Sequence, residues 1–228
     1  MGHAGHTGTA RSRTEQIPSG QIMLEGELSV PVDATGVVLF AHGSGSSRHS
    51  PRNQFVARTI REAGVGTLLF DLLTQAEESV DTSTRHLRFD IELLAGRLVD
   101  ATNWIKREPD SRHLRVGYFG SSTGGGAALV AAASVGEEIG AVVSRGGRPD
   151  LAGDALPKVK SPTLLIVGGL DYPVIRMNED AYSQLRCEKE LKIVPGATHL
   201  FEEPGTLEEV AKLAAAWFQR HLVADVAA

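Results

Sequence analysis

The sequence contains a single cysteine, Cys187, among its 228 residues. One thiol cannot close an internal disulfide, and its isolation fits a reducing, cytoplasmic setting. Clustered basic residues are lacking too. The formal net charge is -5 at pH 7, and no run of Lys and Arg offers the phosphate contacts that a nucleic-acid partner needs. Long apolar runs are absent: stretches such as Val37–Ala41 and Ala127–Val135 are far too short to span a bilayer. The opening MGHAGHTGTARSR has no apolar segment of the secretory kind and reads as a disordered polar arm over residues 1–13. His3 and His6 on that arm have no third ligand nearby, which argues against a metal site. No repeat, low-complexity tract or Pro/Gly/Ser linker follows, so residues 14–228 read as one domain.

What is present is an alternation of short apolar runs and helical patterns. Val37–Ala41, Thr67–Phe70, Leu114–Phe119, Ala141–Val143, Thr163–Val167 and Leu191–Val194 are continuous apolar runs ended by turn residues. A sheet covered on both faces requires strands of this kind. Ile22–Val30 reads as an outer strand, joined through Pro18-Ser19-Gly20 to another over Thr14–Ile17. Between the runs, Ser50-Pro51 is an N-cap followed by proline at the first helical position, with Phe55, Val56, Ile60 and Ala63 on one face. A long helix is expected from Thr84 to Lys106, because Leu87, Ile91, Leu94, Leu98, Ala101 and Ile105 step by fours and threes. Thr206 and Glu209 have capping-box spacing ahead of Leu207, Val210, Ala214 and Trp217. Such alternation predicts an α/β fold, a mainly parallel sheet with helices on both sides.

Chemistry concentrates in VGYFGSSTGGGAAL, Val116 to Leu129, where a strand runs into a helix. A nucleophilic serine at such a junction sits on a tight corner that excludes side chains two residues before and after it. Gly120 and Gly124 satisfy that requirement around Ser122, whereas Phe119 and Thr123 flank Ser121. Ser122 is therefore the candidate nucleophile, and Ser121 a packing residue. A serine hydroxyl needs a neighbouring base, and the base needs an orienting carboxylate. The run Thr163–Val167 leads into Gly-Gly-Leu-Asp171, and Leu191–Val194 leads into Pro-Gly-Ala-Thr-His199. Both then stand at the carboxyl edge of the sheet, where ligand and catalytic groups gather. Asp150 and Asp71 are the rival acids. His42, His49, His86, His113 and His221 either precede the nucleophile or fall in helices or surface turns.

Attack on an ester carbonyl builds charge on oxygen, which preorganised N–H groups can hold. The Thr123 amide lies at a helix N-terminus, and the loop His42-Gly-Ser-Gly-Ser-Ser47 supplies a second donor, Ser44 first and Gly45 next. His42 is assigned to bracing that loop rather than to proton transfer. The loop lacks the Lys-Ser/Thr ending of a phosphate-binding P-loop.

His42-Gly-Ser-Gly45, the elbow Gly120–Gly124, Gly168-Gly-Leu-Asp171 and Gly196-Ala-Thr-His199, with Phe201 and Pro204-Gly205 behind, resemble the α/β-hydrolase superfamily. Within it the match, from about Ile22 to Leu222, is to the small lidless dienelactone hydrolase-like members. The resemblance implies an eight-stranded sheet with Ser122, Asp171 and His199 as a triad, and no cofactor or metal. This elbow carries serine where dienelactone hydrolases proper carry cysteine, which points to a general esterase acting on carboxylic esters, lactones included. Amide, thioester or carbon–carbon cleavage, acyl transfer, and a non-catalytic binding role are the alternatives. Only a short segment, Ser144 to Pro157, separates the run after the elbow from the next, too little for a cap domain. An open site for small or exposed acyl groups is expected, on a monomer or homodimer. In that segment Arg145 or Arg148 suits a substrate carboxylate, with pairing to a structural Asp or Glu as the competing role for each. Asp71 to Ser79 borders the same site.

Overall fold

The protein is described by a computed structural model covering residues 11–223. Its strands are β1 (Arg11–Ser19), β2 (Ile22–Val30), β3 (Gly36–Ala41), β4 (Gly66–Phe70), β5 (Arg115–Ser121), β6 (Ile139–Arg145), β7 (Thr163–Gly168) and β8 (Lys189–Val194). They form one eight-stranded sheet in the order β1-β2-β4-β3-β5-β6-β7-β8. β1 and β2 are antiparallel additions at one edge, and β4, β3 and β5 to β8 run parallel. The helices are α1 (Pro51–Glu62), α2 (Gln75–Thr84), α3 (Ile91–Ile105), α4 (Thr123–Val135), α5 (Tyr172–Gln184) and α6 (Thr206–His221).

Two cores follow from the two faces of the sheet. Val38, Phe40 and Phe119 pack beneath Val56 and Ile60 of α1 and Ala214 and Phe218 of α6. Leu39, Val116 and Tyr118 face Leu94 and Leu98 of α3 and Ala127 and Leu129 of α4. Every residue of β3, β4, β6 and β7 is buried, as their apolar runs require, and β6 carries Ser144 and Arg145 into the interior with them. β8 departs from that expectation: it is an edge strand, and of its residues only Val194 is buried. The chain direction reverses between β3, which leads to β4 on one side, and β5, which leads to β6 on the other. Loops at such a switch point diverge and leave a crevice at the carboxyl edge.

Local differences from the sequence reading have identifiable causes. β1 begins at Arg11, so the polar arm gives way to sheet before residue 13, while residues 1–10, with His3 and His6, lie outside the described residues. The helix expected over Thr84–Lys106 is broken. Arg85 is left-handed, Leu87–Phe89 form a 3-10 turn, and Asp90 caps α3 by accepting from the Leu93 N–H at 3.0 Å. The buried Asp81 carboxylate stabilises the break, accepting from the Leu87 N–H at 2.8 Å and pairing with Arg88. The segment after Thr74 is α2, opened by a capping box between Thr74 and Glu77. At α6 the expected box is not formed. Gly205, at φ 84°, is the N-cap, and the Thr206 hydroxyl donates to the Glu203 carbonyl instead. Ser50 does cap α1, accepting from the Asn53 N–H. No helix among the described residues is long and apolar enough to cross a membrane.

Candidate active site

Ser122 stands between β5 and α4 with φ 52° and ψ -122°, a backbone region that non-glycine residues avoid. The surrounding glycines show why the corner can form. A Cβ on Gly124 would lie 2.1 Å from the Ala41 carbonyl oxygen, and one on Gly120 would lie 2.4 Å from the Gly124 carbonyl oxygen. Such strain is retained where neighbouring structure over-determines it. Here the Ser122 N–H donates to the Arg145 carbonyl at 3.3 Å, and the Ser122 carbonyl accepts from Gly125 and Arg148 at 3.0 Å each.

The acid and the imidazole come from the ends of β7 and β8. His199 Nδ1 lies 2.6 Å from Asp171 Oδ2. Close backbone approach joins their loops: the Leu170 N–H donates to the Ala197 carbonyl at 2.9 Å, and a Cβ on Gly168 would meet that same oxygen at 2.5 Å. Glu203 fastens the histidine loop from below, accepting from the Thr198 N–H at 3.0 Å and the Thr198 hydroxyl at 2.6 Å. Those hydrogen bonds hold its carboxyl below the usual range. The rival acids are engaged elsewhere, Asp150 with Arg148 and Asp71 with Arg48. Ser122 and His199 line a common cavity of about 680 Å³, within the range of small-molecule sites. Among the described residues the Ser122 hydroxyl makes no hydrogen bond and remains open to that cavity.

The amide-bearing loop follows β3. His42 braces it as expected: Nε2 accepts from the Leu72 N–H at 2.9 Å, which leaves Nδ1 to donate to the Gly43 carbonyl at 3.0 Å. This fixes a neutral imidazole, and burial lowers its pKa against the opposing pulls of Gly43 and Asp71. The Thr123 N–H, first in α4, has no intrahelical acceptor. The Ser44 N–H, expected to be free, donates instead to the Thr123 hydroxyl at 2.9 Å. The small elbow turn brings that side chain against the loop, so the Ser44 amide is already satisfied in the resting protein.

The two arginines singled out in the sequence part company. Arg148 forms a fork with Asp150, Nε to Oδ1 at 2.8 Å and Nη2 to Oδ2 at 2.7 Å, and takes the structural role. Arg145, the last residue of β6, lines the cavity. The segment after it holds no inserted domain, only the 3-10 stretch Pro149–Lys158. The segment Asp71 to Ser79 borders the site as expected, through Glu78, which α2 places on the cavity wall; the clamp at Glu203 was missed. Burial and the nearby Asp71 charge raise the Glu78 pKa. The Thr74-x-x-Glu77 spacing was a legible sign that a helix begins there.

A mostly parallel eight-stranded sheet whose strained serine corner, histidine loop and glycine-rich loop meet at one rim defines an α/β hydrolase. The chain belongs to the dienelactone hydrolase family, whose pattern matches residues 25–223. It is 62% identical to a dienelactone hydrolase from Anabaena variabilis, with a TM-score of 0.92 over 94% of this chain and 99% of that one. Est1E from Butyrivibrio proteoclasticus shares the fold at 17% identity, with a TM-score of 0.75 over 93% of this chain and 98% of that one. Two Mycobacterium tuberculosis relatives, each named "Putative phosphoribosyl transferase", are 57% identical over 212 residues, 93% of this chain and 47% of their own length. The chain thus spans about half the length of the curated relatives it matches.

Proposed function

We propose that this chain is a serine hydrolase of carboxylic esters, lactones included, working through an acyl-enzyme. The observation that carries the reading is the 2.6 Å contact between His199 Nδ1 and Asp171 Oδ2, with Ser122 on the same cavity at a strained corner. Ser122 Oγ attacks the ester carbonyl carbon while His199 Nε2 takes its proton; Asp171 holds the imidazole and stabilises the imidazolium. The carbonyl oxygen, now negative, is received by the Thr123 N–H and by the Ser44 N–H, which exchanges the Thr123 hydroxyl for it. The bond from carbonyl carbon to leaving oxygen breaks, and the imidazolium protonates the alcohol. Water then attacks the acyl-serine, giving a proton to His199, and the Ser122 oxygen recovers a proton as the acid leaves. The open rim favours small or exposed acyl groups, so a small-molecule ester is the proposed partner, and the single Cys187 fits a cytoplasmic setting.

Ser122→Ala should abolish turnover of nitrophenyl acetate and labelling by a fluorophosphonate probe. Full activity in that variant would defeat the assignment. The name of the mycobacterial relatives supplies a second reading, phosphoribosyl transfer, although it is attached to chains about twice as long. That chemistry needs no acyl-enzyme, so it predicts a transferase activity that survives Ser122→Ala.

A further inference from the structure

Arg52, which shares the cavity lining with Arg145, is held by a carboxylate, and so are arginines of neighbouring segments. Arg48 pairs with Asp71, Arg88 with Asp81, Arg52 with Glu202 and Arg148 with Asp150. Arg145 has no such partner among the described residues. It is 7% exposed, its Nε and Nη1 are buried without a hydrogen-bond acceptor, and it shares the cavity with Ser122 and His199. Leaving a guanidinium this way is costly, because each unmet donor has lost its water. Burial pushes the Arg145 pKa down to about 10, and the positive charge of Arg52 acts in the same direction.

The side chain is nevertheless held in place. The ring of Phe201, a residue forced to φ 55° two positions beyond His199, lies 5.8 Å from the guanidinium carbon. In the sheet Arg145 is the register partner of Ser121, next to the nucleophile. The start of α1, with Ser50, Pro51 and Arg52, borders the same cavity and has no acidic residue in its first turn. A helix of this length adds positive potential there. Glu78, the carboxylate on the cavity lining, senses Asp71, Arg88, Arg48 and Asp81, none of which acts on Arg145. The Arg145 guanidinium is thus preorganised, and among the described residues no carboxylate pairs with it.

We infer that Arg145 anchors an oxyanion, a carboxylate or a phosphate, carried by the ester substrate and held in the cavity while Ser122 attacks the ester carbonyl. This rests on the hydrolase reading above. Guanidinium donates in a fork that matches either anion, and with the start of α1 on the same cavity the doubly charged phosphate is the stronger ligand.

Three aryl esters of equal chain length, ending in methyl, carboxylate or phosphonate, test it on the wild type, Arg145→Met and Arg145→Lys. The wild type should favour both anionic esters over the neutral one in kcat/KM by about 10- to 100-fold, as a charge-assisted contact implies, with phosphonate ahead of carboxylate. Arg145→Met should bring that ratio to within a few-fold of one, and Arg145→Lys should keep part of it. A wild-type preference for the neutral ester, or an unchanged ratio in Arg145→Met, overturns the proposal. A second arm needs no turnover: inorganic phosphate or succinate should raise the Tm of Ser122→Ala, and should not do so when Arg145→Met is added. Arg145-dependent protection without turnover of any ester would sink the hydrolase reading and leave the anion site standing. Ester turnover with neither preference nor protection would do the reverse.

Discussion

Replacing Arg145 by methionine should stabilise the protein while spoiling its site. The fold holds the charged guanidinium at a disadvantage, its pKa drawn from the ordinary arginine value to about 10, chiefly by burial. A shift of that size corresponds to about 3 kcal/mol against the charged form, consistent with two buried donors lacking acceptors at about 1–3 kcal/mol each. Methionine fills a similar space without those donors and forfeits the contact with Phe201, worth about 1 kcal/mol. The net gain is about 2 kcal/mol, which in a chain of this size raises Tm by about 4–8 °C. The sign with pH is also set. A base whose pKa is lowered by folding is penalised when charged, so the deficit is full below about 10 and fades only as pH rises beyond that. The gain should therefore be constant through the neutral range. Calorimetry of both proteins in a buffer free of phosphate and carboxylates measures it, and added phosphate should narrow the gap by binding the wild type alone. An Arg145→Met protein melting at or below the wild type in that buffer would refute the reasoning, since the guanidinium would then have found its partners in water.

Other perturbations have equally definite outcomes. Asp171→Asn should reduce kcat on nitrophenyl acetate by about 10³- to 10⁴-fold with little change in melting, because the histidine loop is also fastened by Glu203; a loss under tenfold would remove Asp171 from its role. Gly124→Ala puts a methyl 2.1 Å from the Ala41 carbonyl oxygen, so denaturant titration should show a loss of about 3 kcal/mol or more. Wild-type stability at Gly124→Ala would contradict the elbow packing. His42→Gln tests the buried neutral imidazole: below the unfolded-state value of about 6.5 the unfolded chain binds a proton that the folded chain resists. That contribution to stability is present above about 6.5 and declines by up to about 1.4 kcal/mol per pH unit below it. Urea titrations across this range should find a shallower slope in His42→Gln, with His221, lowered by burial in the same direction, common to both proteins.

Much of this arrangement was legible because it obeys short-range rules. Strands buried on both faces spell themselves as apolar runs, and Gly120 and Gly124 mark the only serine whose neighbours permit the corner. Asp171 and His199 were readable since each lies in the loop that follows its own strand at the same rim. What escaped depends on tertiary partners. The helical spacing runs unbroken through Leu87 and Ile91, yet Asp81 and Asp90 offer the backbone better hydrogen bonds in a kinked form. Thr206 has the spacing of a cap, but left-handed Gly205 turns the chain so that its hydroxyl faces Glu203. Ser44 was a reasonable donor, and only the folded loop reveals that Thr123 accepts its N–H. Arg145 and Arg148 look alike in the sequence. Their separation comes from Asp150, two residues from one of them and out of use to the other.

The hydrogen bond from the Ser122 N–H to the Arg145 carbonyl ties neighbouring strand ends together at 3.3 Å. Strands, unlike loops, sit at a fixed lateral spacing of about 4.8 Å, so on the proposed reading the gap between Ser122 and the Arg145 guanidinium would work as a ruler. A substrate would be sorted by the number of bonds between its reactive carbon and its charge. Lengthening the surrounding loops would leave that measure unchanged, and relocating the arginine by two positions along the strand, which keeps it on the same face, would reset it.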